Sequence, residues 1–425
     1  VSLAYDDALA AILAQVPARA PRTEFVPLEQ ALGRALAQDI TSRIALPPWD
    51  NAGMDGIATR RADVVGARPD APRALPLIGA SVAGSDPTQL PWVQPGTAMR
   101  IMTGAPVPPG ADVVIRVEDT RRDGDTVYVT DDRDTAGRGN IRPRGEDIEP
   151  GRVVFATGTT LRASHLGALA AIGCATVPVY ARPRVTIVSS GDELVLLDRF
   201  DEAERGARIV ASSSYALPAL LRSAGADITM APLVPDTLEA LTSALRAAVE
   251  SCDLLITTGG VSVGEHDYTR EALTKIGGVQ TFWRARIRPG GPIGTGMVGA
   301  VPWIGLPGNP VSTMVTGTLF AFPLIRRLGG HASMCHVKLP VRMADAAETP
   351  APLTYFLRVS LQAGEDGLLE ARLSGGQGSN LLRSMALADA LLVVPESRSR
   401  VEPGDQLHAI VLPDAPLLVS RAAAP

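Results

Sequence analysis

Cysteine, histidine and lysine are all scarce in this chain of 425 residues. The three cysteines, Cys174, Cys252 and Cys335, lie far apart without CxxC spacing. That excludes a disulfide framework and a zinc site of ordinary spacing, and a reducing, cytoplasmic setting is expected. The five histidines, His165, His266, His331, His336 and His408, show no metal-ligand spacing, and no GxSxG or Cys-His arrangement accompanies them. Nucleophilic catalysis by a side chain is therefore not indicated. Lysine occurs only at 275 and 338, so nearly all of the 40 basic residues are arginine. A net charge of −5 with pI near 5.7 leaves no electrostatic footprint for nucleic acid. No apolar run approaches the ~18 residues of a membrane span. The opening VSLAYDDALAAILAQ carries Asp6 and Asp7 where a signal peptide would carry positive charge, so neither membrane insertion nor secretion is expected.

What is present is the composition of a globular protein, 46% hydrophobic and 20% charged, long enough for two to four domains at roughly 150 residues each. Apolar residues recur at helical spacing over 3–16 and again over 26–37, predicting two opening helices. From 42 to 141 short β-like runs take over, AMRIM, DVVIRV and TVYV, with a Gly124-Asp125 hairpin signal. From 183 to about 329 the rhythm is strand, Gly-containing loop, helix, which predicts a doubly wound α/β domain. After Gly329-Gly330 alternating runs return, predicting a small all-β domain. The fold class is thus multidomain α/β plus β.

In an open α/β sheet, ligands bind where the carboxyl ends of strands meet the following loops. TTGGVSVGEHD offers Gly259, Gly260 and Gly264 for close backbone approach to a phosphate, beside Glu265 and Asp267, although a tight turn would use the same glycines. SSGDEL places Asp192 and Glu193 at a strand end, where Asp192 also suits a helix cap. LPGNPVS, 306–312, combines a helix start with two prolines that make a rigid wall. In FWRARIRPGGP the alternation of Arg284, Arg286 and Arg288 puts three guanidiniums on one strand face, either solvated or holding an anion. RGNIRPRGED gathers Arg138, Arg142 and Arg144, for which a solvated charged loop is the simpler reading. Carboxylates, arginines and glycine loops spread over several segments suit metal-assisted chemistry on a phosphate or other oxyanion.

Taken in order, DNAGMDGIA, RIMTGAPVPPGAD, NIRPRGEDI, SSGDEL, TTGGVSVGEHDYT and LPGNPVS resemble the signature segments of the molybdopterin molybdenumtransferase (MoeA) family, which includes the C-terminal domain of gephyrin. The resemblance spans nearly the whole chain. It implies a homodimer of four-domain subunits, with clefts joining the α/β domain to the partner's β-rich insert. It implies an enzyme that cleaves adenylated molybdopterin, releases AMP and inserts molybdate into the dithiolene with the help of Mg2+. The expected division is an α/β molybdopterin-binding domain, similar to that of the adenylating enzyme (1–22 with 177–329), and a linking domain (23–41 with 142–176). The insert (42–141) and a small barrel-like C-terminal domain (330–425) complete it. Working partners implied are the molybdopterin adenylyltransferase and molybdoenzyme maturation proteins.

The resemblance points to Asp55, Thr103, Asp147, Glu193, Asp236, Asp267, Arg284 and Arg288 as catalytic residues, with Glu193, Asp236 and Asp267 offered to the metal. It assigns ligand binding to Arg142, Gly259, Gly260, Ser262, Gly264, Pro307, Asn309, Arg358 and Ser379. Molybdate, a tetrahedral dianion, needs cationic or N–H donors, for which Arg358, Ser379, Arg284 and Arg288 are suited. Asp50 is assigned to an Asx-turn and Asp55 to the ligand. The chain departs from the family where Gly291 replaces a lysine, Arg284 and Arg288 stand for lysines, and Ser213 stands for an asparagine. Two competing expectations follow: a paralogue with weakened turnover that carries molybdopterin or its nucleotide, or an adenylyltransferase.

Overall fold

A computed structural model of the chain describes residues 2–16, 22–260, 268–350, 352–364 and 366–415. Two compact units emerge, the first drawn from 1–38, 157–166 and 176–425, the second from 39–156 and 167–175.

In the first unit, the strand-loop-helix rhythm becomes a sheet with seven strands among the described residues. Arg184–Ser189 lies between Asp227–Met230 and Leu254–Thr258, with Val301–Leu306 beyond, all parallel. Both faces are covered. Val185, Ile187, Leu254, Ile256 and Ile304 pack with Ile12, Leu217 and Val315 on one side. Val188, Leu255 and Trp303 pack with Leu241, Leu245 and Leu273 on the other. Double burial is why these strands read as unbroken apolar runs rather than alternating ones, and it makes this the doubly wound domain that the sequence predicts.

The strand Gly278–Ala285 runs antiparallel to Pro292–Val298 and is flanked on its other side by the short edge strand Ser2–Leu3. Its continuation, Ile287–Arg288, pairs instead with Thr354–Tyr355. Thr354–Ala363, Leu369–Leu373, Lys338–Met343, Gln406–Val411 and Ala390–Val394 then close a small barrel, the first strand pairing with the last. Tyr355, Leu357 and Val359 point into its core. Phe356, between them, points out onto Tyr5, ring centroids 5.1 Å apart.

The second unit is built on a mainly antiparallel sheet with six strands among the described residues. Gly124 and Asp125 form its two-residue hairpin: Asp123 pairs directly with Thr126, and Gly124 takes φ 59, the Gly-first turn that suits the strand twist. Gly56 is required by packing, since a Cβ there would lie 1.9 Å from the Ile115 carbonyl oxygen on the neighbouring strand.

Two expectations change. The first helix is present as Tyr5–Leu13, but 26–37 is not helical. Thr23–Pro27 is a strand paired with Thr176–Tyr180, followed by a single 3-10 turn, Leu28–Gln30. Gly33 at φ 75 breaks any helix, and the N–H groups of Gly33, Leu36 and Ala37 donate to Leu161, Thr159 and Pro178. The apolar spacing reflects burial against segments distant in sequence. Nor do the three arginines share one uninterrupted strand face: the strand changes partners at Arg286, whose guanidinium is taken by Glu396.

Candidate functional site

The parallel strands deliver three loops to one edge of the sheet. Gly259 carries φ 84, and a Cβ on it would sit 2.9 Å from the Ser190 carbonyl oxygen, while its N–H donates to the Leu306 carbonyl at 3.2 Å and a Cβ on Gly308 would just touch its Cα at 3.5 Å. The loops after Ser189, Thr258 and Leu306 therefore converge backbone to backbone, which only glycine allows at this point. Around them lies a cavity of about 470 Å³, lined among others by Glu193, Asp236, Gly259, Gly260, Pro307 and Asn309. Asp192 does not cap a helix. Its carboxylate accepts from the Asp236 backbone N–H at 3.2 Å, and the Asp192 N–H returns to the Asp236 carboxylate at 3.4 Å, locking two rim loops together.

Serines of the run ASSSY, Ser212, Ser213 and Ser214, also line this cavity. Only Ser213 among them was singled out from sequence; three hydroxyls at the start of the helix Ser213–Ser223 were the available signal. Ser262, Gly264 and Asp267 lie outside the described residues, so the metal set is represented by Glu193 and Asp236. Among the described residues no group of three or more His, Cys, Asp or Glu is poised for a metal ion.

Pro292 and Asn309 also line a second cavity of about 490 Å³, whose walls include Arg284, Arg288, Ser312 and Ser379. Among the described residues neither arginine has a carboxylate within ion-pair distance, and Arg288 lies over the Tyr355 ring, 5.8 Å from its centroid. Among the described residues, this end of the groove is a cationic wall without a paired carboxylate.

Arg358 does not line that wall. It is fully buried, and its guanidinium donates to Ser384 Oγ at 2.8 Å and to the carbonyls of Gly376 at 2.8 Å and Gly378 at 3.1 Å. Gln377 clasps its backbone, accepting from the Arg358 N–H at 2.8 Å and donating to its carbonyl at 3.1 Å. One terminal nitrogen of Arg358 is buried without a partner among the described residues, and burial lowers its pKa. Arg358 thus holds the 376–379 loop from behind, while Ser379 at the loop's end accepts from Val311 N–H and reaches the cavity.

The remaining candidates sit in the second unit. The Asp55 carboxylate accepts from both the hydroxyl and the backbone N–H of Thr103, each at 2.6 Å. Those bonds, the hydroxyl's foremost, hold the exposed Asp55 below the usual carboxylate range. Among the described residues these bonds use one of its two oxygens. Arg142 is one strand away, paired with Asn51 in the same loop. Asp147 is exposed, its backbone N–H bonded to Leu46, and among the described residues no bond joins its side chain to Asp55, Thr103 or Arg142. Asp50 proves structural, but not through an Asx-turn: its carboxylate accepts from the Arg144 N–H at 2.7 Å, far along the chain.

A doubly wound domain whose glycine-lined cleft carries carboxylates and continues into an arginine wall beside a small barrel has the chemistry of a site for phosphorylated, anionic ligands. The particular family is plain: residues 3–173 match the MoeA N-terminal region (domain I and II), 186–327 a probable molybdopterin binding domain, and 340–412 the MoeA C-terminal region (domain IV), so the chain belongs to the MoeA family. It is 35% identical over 397 residues to a molybdopterin molybdenumtransferase of Nostoc sp., covering 92% of this chain and 89% of that one. It is 34% identical over 407 residues to the Haemophilus influenzae protein of that name, covering 95% and 97%. The crystal structure of a molybdopterin biosynthesis moeA protein from Pyrococcus horikoshii superposes with a TM-score of 0.83 at 29% identity, covering 97% of this chain and all of that one. No helix among the described residues is long and apolar enough to cross a membrane.

Proposed function

We propose that the chain is a molybdopterin molybdenumtransferase of molybdenum cofactor biosynthesis, which cleaves adenylated molybdopterin to release AMP and leaves molybdate inserted at the dithiolene. The observation that carries this reading is the adjoining pair of cavities, carboxylates at one end and arginines at the other, sharing Pro292 and Asn309.

The carboxylate end suits the phosphoanhydride. Gly259 and Gly260 allow its oxygens close to backbone N–H groups, and the serine hydroxyls supply further donors. Glu193 and Asp236 fit Mg2+, which takes one or two carboxylates and completes its shell with phosphate oxygens and water. Bound there, the ion would neutralise charge on the phosphate oxygens as the P–O bond to AMP breaks. At the arginine end, Arg284 and Arg288 present planar donor forks to a tetrahedral dianion, with Ser379 beside them and Arg358 bracing the loop. Asp55, kept ionised by Thr103, has one carboxylate oxygen left to accept a proton or orient a donor on the ligand.

The homodimer belongs to this reading, with Asp55, Thr103, Arg142 and Asp147 assigned to ligand held by the partner subunit, so mixing Asp55→Asn and Glu193→Gln subunits should restore turnover that neither has alone. So do the four-domain division, a cytoplasmic location, and transient partnership with the molybdopterin adenylyltransferase and molybdoenzyme maturation proteins. The decisive experiment supplies adenylated molybdopterin, Mg2+ and molybdate to the purified chain and follows AMP and active cofactor. A chain that binds the substrate yet yields neither overturns the proposal. The metal assignment has a separate readout: Mn2+ bound in the presence of AMP, followed by electron paramagnetic resonance, should weaken in Glu193→Gln and Asp236→Asn.

A further inference from the structure

Arg284 and Arg288 belong to different parts of the fold, although only four positions separate them. Arg284 stands in the seven-stranded sheet opposite Ser2 and Pro292. Arg288 stands in the barrel opposite Tyr355, over whose ring it lies. The change of partners happens at Arg286. Its backbone N–H donates to Leu3 in the sheet at 2.7 Å, and its carbonyl accepts from Thr354 in the barrel at 2.9 Å. With one hydrogen bond to each side, the backbone crosses from sheet to barrel at this residue.

The Arg286 side chain spans the same joint. Nε meets both carboxylate oxygens of Glu396 at 3.1 Å, and a terminal nitrogen donates to the Ser2 carbonyl at 3.1 Å. Glu396 lies two residues beyond the barrel strand Ala390–Val394, whereas Ser2 belongs to the sheet. One guanidinium therefore ties barrel to sheet. Neither Arg286 nor Glu396 lines the cavity that Arg284 and Arg288 share.

We propose that the Arg286–Glu396 pair is a positioning device that sets the separation of Arg284 and Arg288, and so the affinity of the groove for a tetrahedral dianion. The inference rests on the reading of that groove as the oxyanion end of the site. Planar guanidinium forks bind an anion well only in register, unlike a lysine's compact charge on a flexible stem, so a wall built of two arginines depends more on a fixed spacing. The pair itself is partly exposed, 38% for Arg286 and 28% for Glu396, and such pairs add little to stability. Its loss should loosen the joint without unfolding the chain.

The test measures molybdate binding to the full chain by titration calorimetry, using molybdate alone as probe. Glu396→Gln is expected to weaken binding about tenfold, less than the roughly 100-fold in rate that a full misplacement of about 1 Å can cost a catalytic site, with the melting temperature within about 2 °C of the parent. In AMP release, KM for molybdate should rise more than kcat falls. Arg286→Ala should match Glu396→Gln, and the double variant should be no worse than either, because all three sever one tie. Wild-type affinity in Glu396→Gln, or effects that simply add, would overturn the inference. Arg284→Ala and Arg288→Ala separate the two layers: if they too bind molybdate normally, the oxyanion reading of the groove fails, whereas if they lose it and Glu396→Gln does not, only the positioning role fails.

Discussion

His331 should make the chain lose stability as the pH falls below neutrality, by an amount its surroundings define. The ring is 7% exposed, and Nδ1 lies 2.7 Å from Thr160 Oγ1. Arg326 donates to that same oxygen at 2.9 Å, which leaves the threonine hydroxyl proton available to a neutral Nδ1. Burial, then repulsion from Arg326 and Arg34, pushes the His331 pKa down to about 4 from 6.5. Between those values the unfolded chain binds the proton more tightly, so the contribution is fully present above about pH 6.5 and is lost as the pH falls through about 4. At about 1.4 kcal/mol per unit, the whole difference is roughly 3 kcal/mol, of which roughly 2 kcal/mol is gone by pH 5. His331→Asn keeps an acceptor near Nδ1 and cannot titrate. Urea unfolding of parent and variant at pH 7.5 and pH 5 isolates the effect, since His336, likewise lowered by burial, is common to both. The stability gap should shift by about 2 kcal/mol in favour of the variant at pH 5. A gap that stays constant within about 0.5 kcal/mol would refute the buried neutral histidine.

Asp55→Asn should cut AMP release by at least about 100-fold while leaving the melting curve in place, because the side chain is exposed; wild-type turnover would remove Asp55 from the site. Gly259→Ala should cost about 2 kcal/mol or more from its left-handed backbone, and the 2.9 Å approach of Cβ to Ser190 should displace the loop, so thermal stability and AMP affinity should fall together. Gly291→Lys would bring a Cβ to 3.2 and 3.4 Å from the Ile287 and Ala285 carbonyl oxygens, tighter than ordinary contact, so the backbone must give by a few tenths of an ångström and the melting temperature should fall slightly, while molybdate binding should tighten by about threefold to tenfold through one added cation. Turnover that appears only in that variant would make the natural chain a carrier rather than an enzyme.

Much of the fold was legible because its periodicities come from burial on defined faces. Leu254 to Thr258 is an apolar run because both faces of that strand are covered, and Thr354 to Val359 declares a strand, although here too alternate residues meet two different cores. The same rule misled at 26–37, where Ala31, Ala35 and Leu36 are buried against segments more than 100 positions away rather than along one helix face. Arg358 shows the limit for the site. Its residue type suggested an anion contact, but the fold commits Nε to Ser384 Oγ and one terminal nitrogen to the carbonyls of Gly376 and Gly378, partners that no spacing rule discloses.

By itself the sequence determined the order of α/β and β segments, the glycine loops at strand ends, and the supply of carboxylates and arginines, because these depend on residue type and on spacing within one element. Tertiary structure decided which of them meet. It brought the Ser190, Gly259 and Gly308 backbones together, joined Asp55 to Thr103, separated Asp50 from that role, and set Arg286 as the tie between sheet and barrel. Each of those contacts joins residues from different elements of the fold, and only the packed core fixes where such elements lie.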